Sequence, residues 1–138
     1  MALSLWSLLG FAVWTLLLVL LGIGLPRFRA VLIDKARPNS FNPATPHGSE
    51  RYQRTMRAHM NCVENLPVFA ALVLLAAVLE LNHGLFEAAA ALVLPARVLQ
   101  SVVHVASGRN RAVLVRFVFF TIQLGCFLTM AAVIALSR

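Results

Sequence analysis

Apolar residues fill four stretches of this chain, and polar residues collect between them. The first stretch, Leu3 to Leu25, contains no ionisable residue and is long enough to cross a hydrocarbon core, which takes about 20 helical residues. It has no basic segment before it and no small-residue cleavage site after it, so it reads as a retained first span. Residues 26–50 form the longest polar connection, and three prolines between Pro38 and Pro46 exclude regular structure there. Ser49 followed by Glu50 is a helix start, an N-cap with an acid in the first turn. The second helix is expected from about Glu50 to Leu81, with residues 58–81 in the membrane and Pro67 kinking or loosening it. Asn82-His83-Gly84 is a tight turn that sets the third helix, about 85–106, antiparallel to the second. The fourth is expected at about 112–136. The fold class is therefore an all-α integral membrane protein, a four-transmembrane-helix bundle with antiparallel up-down topology, in a single membrane domain spanning 1–138.

Composition supports that reading. Apolar residues make up 60 % of the chain and charged residues 12 %, against roughly 45–50 % and 25 % in soluble domains. The net charge of +7 raises the question of a nucleic-acid partner, but its distribution answers against one. Seven of the twelve Lys and Arg fall between Arg27 and Arg57 and three between Arg109 and Arg116, while the turn at 82–84 has none. Alternation of this kind follows the positive-inside rule, with the basic connections cytoplasmic and both termini on the opposite side. Cys62 and Cys126 stand in apolar stretches without C-x-x-C spacing, and the four His show no metal-ligand pattern.

Two polar stripes interrupt the apolar helices. Arg57, Asn61 and Glu64 recur at i, i+4 and i+7, one face of the second helix. Arg97, Gln100 and His104, at i, i+3 and i+7, form a second stripe on one face of the third. Ionisable groups inside a span are costly and mark functional sites by default. Counted from the intervening turn, Glu64 lies about 19 residues down one helix and Arg97 about 14 down the other, a depth difference of roughly one to two turns. An ion pair between them is within reach of a long Arg side chain. Such a pair reads either as a packing device or as part of a site for a polar ligand. Gln123, midway along the fourth helix, reads as interhelical glue. Arg27, Arg29, Arg54, Arg57 and Arg116 would form a cationic mouth above the stripes, suited to a ligand with several carboxylates.

The run Arg57-Ala58-His59-Met60-Asn61-Cys62-Val63-Glu64-Asn65-Leu66-Pro67-Val68-Phe69 resembles the R-A-H-x-N-x-x-E-x-x-P-x-F signature of the MAPEG family, the membrane-associated proteins in eicosanoid and glutathione metabolism. The likeness extends over the whole chain, closest to small bacterial members, and so implies a bacterial inner membrane. It implies a homotrimer that binds glutathione between neighbouring protomers near the cytoplasmic side. By position it assigns glutathione contacts to Arg57, His59, Asn61, Glu64, Arg97 and Gln100. It places Arg27 near the thiol and aligns Arg116 with a fourth-span Arg. Family enzymes carry Tyr seven residues after the third-span Arg and often His three after it; here those positions hold His104 and Gln100.

The function expected on this basis is a glutathione transferase or peroxidase acting on lipophilic electrophiles from the bilayer, with Arg27, Arg116 and His104 as catalytic candidates and no metal. The missing third-span Tyr leaves a non-catalytic trimeric scaffold as the main alternative. A small multidrug-type transporter is the third class, disfavoured because the first span has no ionisable residue.

Overall fold

The computed structural model describes residues 2–42 and 45–137. It is helical throughout its spans: α1 (Leu3–Leu17), α2 (Leu25–Leu32), α3 (Glu50–Val78), α4 (Gly84–Ala106) and α5 (Asn110–Leu136). A π-wound segment, Leu18–Gly24, joins α1 to α2, so that one continuous span covers Leu3–Leu32. Among the described residues, four helices are long and apolar enough to cross a membrane.

The first helix therefore extends well past Leu25, where the polar connection was expected to begin. The cause is local. In the π segment the bonds reach five residues back, as Leu25 N–H does to Leu20 O. Pro26 then stands at the start of α2, where its missing N–H costs little. Pro67 likewise does not interrupt α3. A 3₁₀ turn, Pro38–Ser40, lies within the stretch read as irregular. Ser49 caps α3 as expected, its hydroxyl accepting from Tyr52 N–H at 3.2 Å. At the other end Glu80 adopts φ 51° and Leu81 N–H returns to Ala76 O at 2.9 Å. That left-handed closure satisfies the last carbonyls and turns the chain into α4.

The central element is α4, which packs against α1, α3 and α5 and is the most enclosed of the spans. An aromatic row crosses the core, Phe11 to Phe69 at 5.7 Å and Phe69 to Phe127 at 5.9 Å between ring centres. Small residues let α1 approach α4. Ser7 Oγ donates to Ala90 O at 2.6 Å, and a Cβ on Gly10 would meet Leu94 Cδ2 at 2.6 Å. The start of α1 lacks a capping side chain of its own. Glu87, in the first turn of α4, supplies the acceptor instead: Ser4 N–H and Ser4 Oγ donate to its two carboxylate oxygens at 2.7 and 2.8 Å. The carboxylate thus sits at the positive ends of two helices.

Candidate functional site

The α4 stripe lies inside the protomer. Arg97 is 1 % exposed, its guanidinium carbon 5.3 Å from the centre of the Phe11 ring. Its Nε and Nη2 have no hydrogen-bond partner among the described residues. One turn along, Ser101 Oγ donates to Arg97 O and lies 3.7 Å from Cys62 Sγ. Gln100 is occupied at both ends of its amide: Nε2 donates to Arg116 O, and Oε1 accepts from Gln123 Nε2, both at 3.1 Å. Gln123 Nε2 also donates to Phe119 O at 2.9 Å. These two amides bind α4 to α5.

The α3 stripe is placed differently. Arg57 and Glu64 are exposed and Asn61 is half-buried. No ion pair joins Glu64 to Arg97; among the described residues the ion pair formed is Arg54 with Glu50, at 3.4 Å. Azimuth explains this. The face of α3 that packs inward carries Ala58, Cys62, Phe69, Val73 and Ala76. Glu64, two residues past Cys62, is turned about 200° from it, while Arg97 points inward onto Phe11. Reach in depth did not fix direction.

The stripes meet at one point, where Asn61 Nδ2 lies 3.5 Å from His104 Nδ1, with His104 buried. Nearby, Arg54 Nε donates to Val105 O at 3.2 Å and ties the same ends of α3 and α4 together. Arg116, half-buried near the start of α5, gives its backbone carbonyl to Gln100.

Arg27 belongs to a separate neighbourhood. Its Nε donates to Tyr52 Oη at 2.5 Å, and its guanidinium lies over the rings of Phe41 and Tyr52 at 5.5 and 6.0 Å. On α3, at about 100° per residue, His59 falls within about 20° of Tyr52, whereas Arg57, Asn61 and Glu64 fall about 120–180° away. Within one protomer the candidates thus divide into two half-sites on different faces of α3. One holds Arg57, Asn61 and Glu64, with His104 beside Asn61; the other holds Arg27 at Tyr52 and, about two turns further along the same face of α3, His59, whose Nδ1 has no partner among the described residues. Tyr52 escaped the sequence reading except as a neighbour of the helix start. Its signal was being the chain's single tyrosine at a membrane boundary, where that residue type concentrates.

These features define a four-helix membrane protein with an ionisable face on its second span and a buried polar core on its third. The chain belongs to the MAPEG family, whose model matches residues 3–136. Comparison with curated proteins and with solved structures returns no match.

Proposed function

We propose that the protein binds glutathione in the membrane and conjugates it through its sulfur to lipophilic electrophiles, or uses it to reduce lipophilic hydroperoxides. The observation that carries this reading is the outward face of α3. A guanidinium, an amide and a carboxylate stand there in one line, the two charged groups exposed and the amide half-buried on the protomer, yet carried into an apolar span. Facing lipid, they would be costly. Covered by a second copy and a polar ligand, they find partners. The donor set suits the tripeptide: Arg57 for a carboxylate, Asn61 for a peptide group, Glu64 for the ammonium.

The division of the candidates into half-sites supports assembly. Arg27 and His59 of one protomer would face Arg57, Asn61 and Glu64 of the next, in the homotrimer that family membership suggests. Arg27 is then the cation beside the sulfur. A thiol with pKa about 8.5 is mostly protonated at neutral pH, and a nearby cation raises the thiolate fraction. The thiolate attacks the electrophilic carbon and expels its leaving group. In the peroxidase version two glutathiones and one hydroperoxide give the disulfide, an alcohol and water. The basic connections would lie on the cytoplasmic side, where glutathione is supplied.

Calorimetry in detergent tests the reading. Wild type is expected to bind glutathione, with binding weakened in Arg57→Ala and Glu64→Gln; absence of wild-type binding at millimolar glutathione overturns it. Native mass spectrometry checks the trimer. A second reading, a scaffold of the same fold without chemistry, is favoured by one observation: Gln100 is fully occupied by α5. A screen of thiol conjugation and hydroperoxide reduction separates the two.

A further inference from the structure

A groove runs along the first span, on the side of α3 away from Arg57 and Glu64. Its deeper part is a cavity of about 530 Å³ between the π segment, the start of α3 and the end of α4, with Trp14, Leu18, Leu21, Gly22 and Val105 in its walls and Arg51 at its rim. A second cavity of about 400 Å³ shares Pro26, Ser49 and Tyr52 with it and continues past Arg27.

The groove is built by the winding of the first helix. A Cβ on Gly22 would collide with the Thr55 methyl, so α3 touches the π segment closely at that point. The apolar side chains of Leu18 and Leu21 and the Trp14 ring then line a channel beside the contact. From Trp14 to Arg27 the channel covers about 20 Å at 1.5 Å per residue. That compares with about 15 Å for one leaflet's hydrocarbon, half of a 30 Å core, plus the first part of the headgroup layer. The groove is therefore apolar over one leaflet's depth and cationic at the boundary. None of its described lining residues is acidic. Arg51 is exposed and makes no ion pair among the described residues.

We propose that this groove is a lipid site, taking one acyl chain of an anionic phospholipid from the leaflet that meets the basic connections, with the phosphate on Arg51. The charge at the rim selects the occupant: an arginine near an anionic surface contributes roughly fivefold in affinity, and nothing beside it favours the added choline cation of a zwitterionic head. The apolar part of the groove and Arg51 lie on the other face of α3 from Arg57 and Glu64, whereas its Arg27 end adjoins the half-site proposed above for a neighbour's glutathione, so the lipid is tested with glutathione absent.

The chain has two tryptophans, and Trp14 stands in the groove while Trp6 is exposed at the far end of the span. A Trp6→Phe variant makes Trp14 the reporter; a Trp14→Phe variant makes Trp6 the bulk-lipid reference. Both are reconstituted without glutathione in mixed phosphatidylglycerol and phosphatidylcholine bilayers, with bromine on the chains of one lipid at a time. Trp14 is expected to be quenched about fivefold more effectively per mole of brominated phosphatidylglycerol than of brominated phosphatidylcholine, whereas Trp6 shows no preference. Adding Arg51→Gln, a change on an exposed position, should bring the Trp14 ratio to about one. Adding Val105→Trp is avoided because it introduces a fluorophore; Val105→Phe narrows the groove and should lower Trp14 quenching by either lipid. Equal quenching of Trp14 by both lipids, or a preference unchanged in Arg51→Gln, overturns the proposal. So does Trp14 shielded from both lipids, which would mean that a neighbouring protomer fills the groove.

Discussion

The two polar stripes each cover two helical turns of the sequence and have opposite fates in the fold. On α4, Arg97, Gln100 and His104 are all buried; on α3, Arg57 and Glu64 are exposed. Gln100 spends its amide on α5, whereas Arg57 and Glu64 make no ion pair among the described residues. A buried polar group with its partners inside the protomer serves packing. A charged group directed out of a membrane helix needs something from outside the protomer. Under the proposed function the difference gives architecture mainly to Gln100 on α4 and recognition to α3, with Asn61 and His104 at the junction and Arg97, buried with Nε and Nη2 unpartnered among the described residues, outside this simple division.

The largest effect that can break this assignment is on ligand binding. Arg57→Ala and Glu64→Gln should each weaken glutathione binding by about 10- to 150-fold, the loss of one charge-assisted hydrogen bond. Both should leave protomer stability within about 0.5 kcal/mol, as surface substitutions do. Calorimetry and unfolding in mixed micelles read the two separately. A variant that unfolds easily while still binding glutathione would reverse the roles of the stripes.

Next in size is Gln100→Leu. It strands Gln123 and the Arg116 carbonyl and should cost about 1–2 kcal/mol of stability. Replacing Gln123 by Leu as well should restore part of that, because the pair is coupled. Glutathione binding in Gln100→Leu is the sharper readout. If binding falls far more than stability does, Gln100 contacts the ligand despite its bonds to α5.

Glu87→Ala extends the buried side of the comparison to the far end of α4. It removes the acceptor for Ser4 N–H and Ser4 Oγ and should cost about 1 kcal/mol, the usual worth of a helix cap. Unfolding in mixed micelles measures it. Ligand binding should be unchanged, since this end of α4 is remote from Arg57.

How far the sequence reveals these roles depends on the kind of information each needs. Apolar run lengths define four spans, because a bilayer demands about 20 residues each time. Periodicity identifies both stripes, because the helix repeat puts i, i+4 and i+7 on one face. Neither says which way that face points. The Glu64–Arg97 pair was reachable in depth and failed in azimuth. The first helix outruns its apolar stretch for another reason: the apolar residues end at Leu25, and nothing in Leu18–Gly24 announces the π winding that carries the helix to Leu32. Tyr52 and Glu87 are found by tertiary neighbours, Arg27 and Ser4, that lie 25 and 83 residues away.

The smallest effect falls where the stripes meet. The Asn61–His104 contact is long, 3.5 Å, and a hydrogen bond of that length is weak. His104→Phe and Asn61→Ala, combined in a double-mutant cycle, should therefore show a coupling of about 0.5 kcal/mol in the unliganded protein, at the low end for neighbouring residues. Glutathione sharpens the measurement. If the ligand seats on the α3 face, it holds Asn61 and draws on the same amide that reaches His104. The coupling measured from glutathione affinities should then exceed the coupling measured from stability. Equal couplings would mean that His104 supports α3 from behind and takes no part in the ligand site, which would place the whole α4 stripe on the structural side.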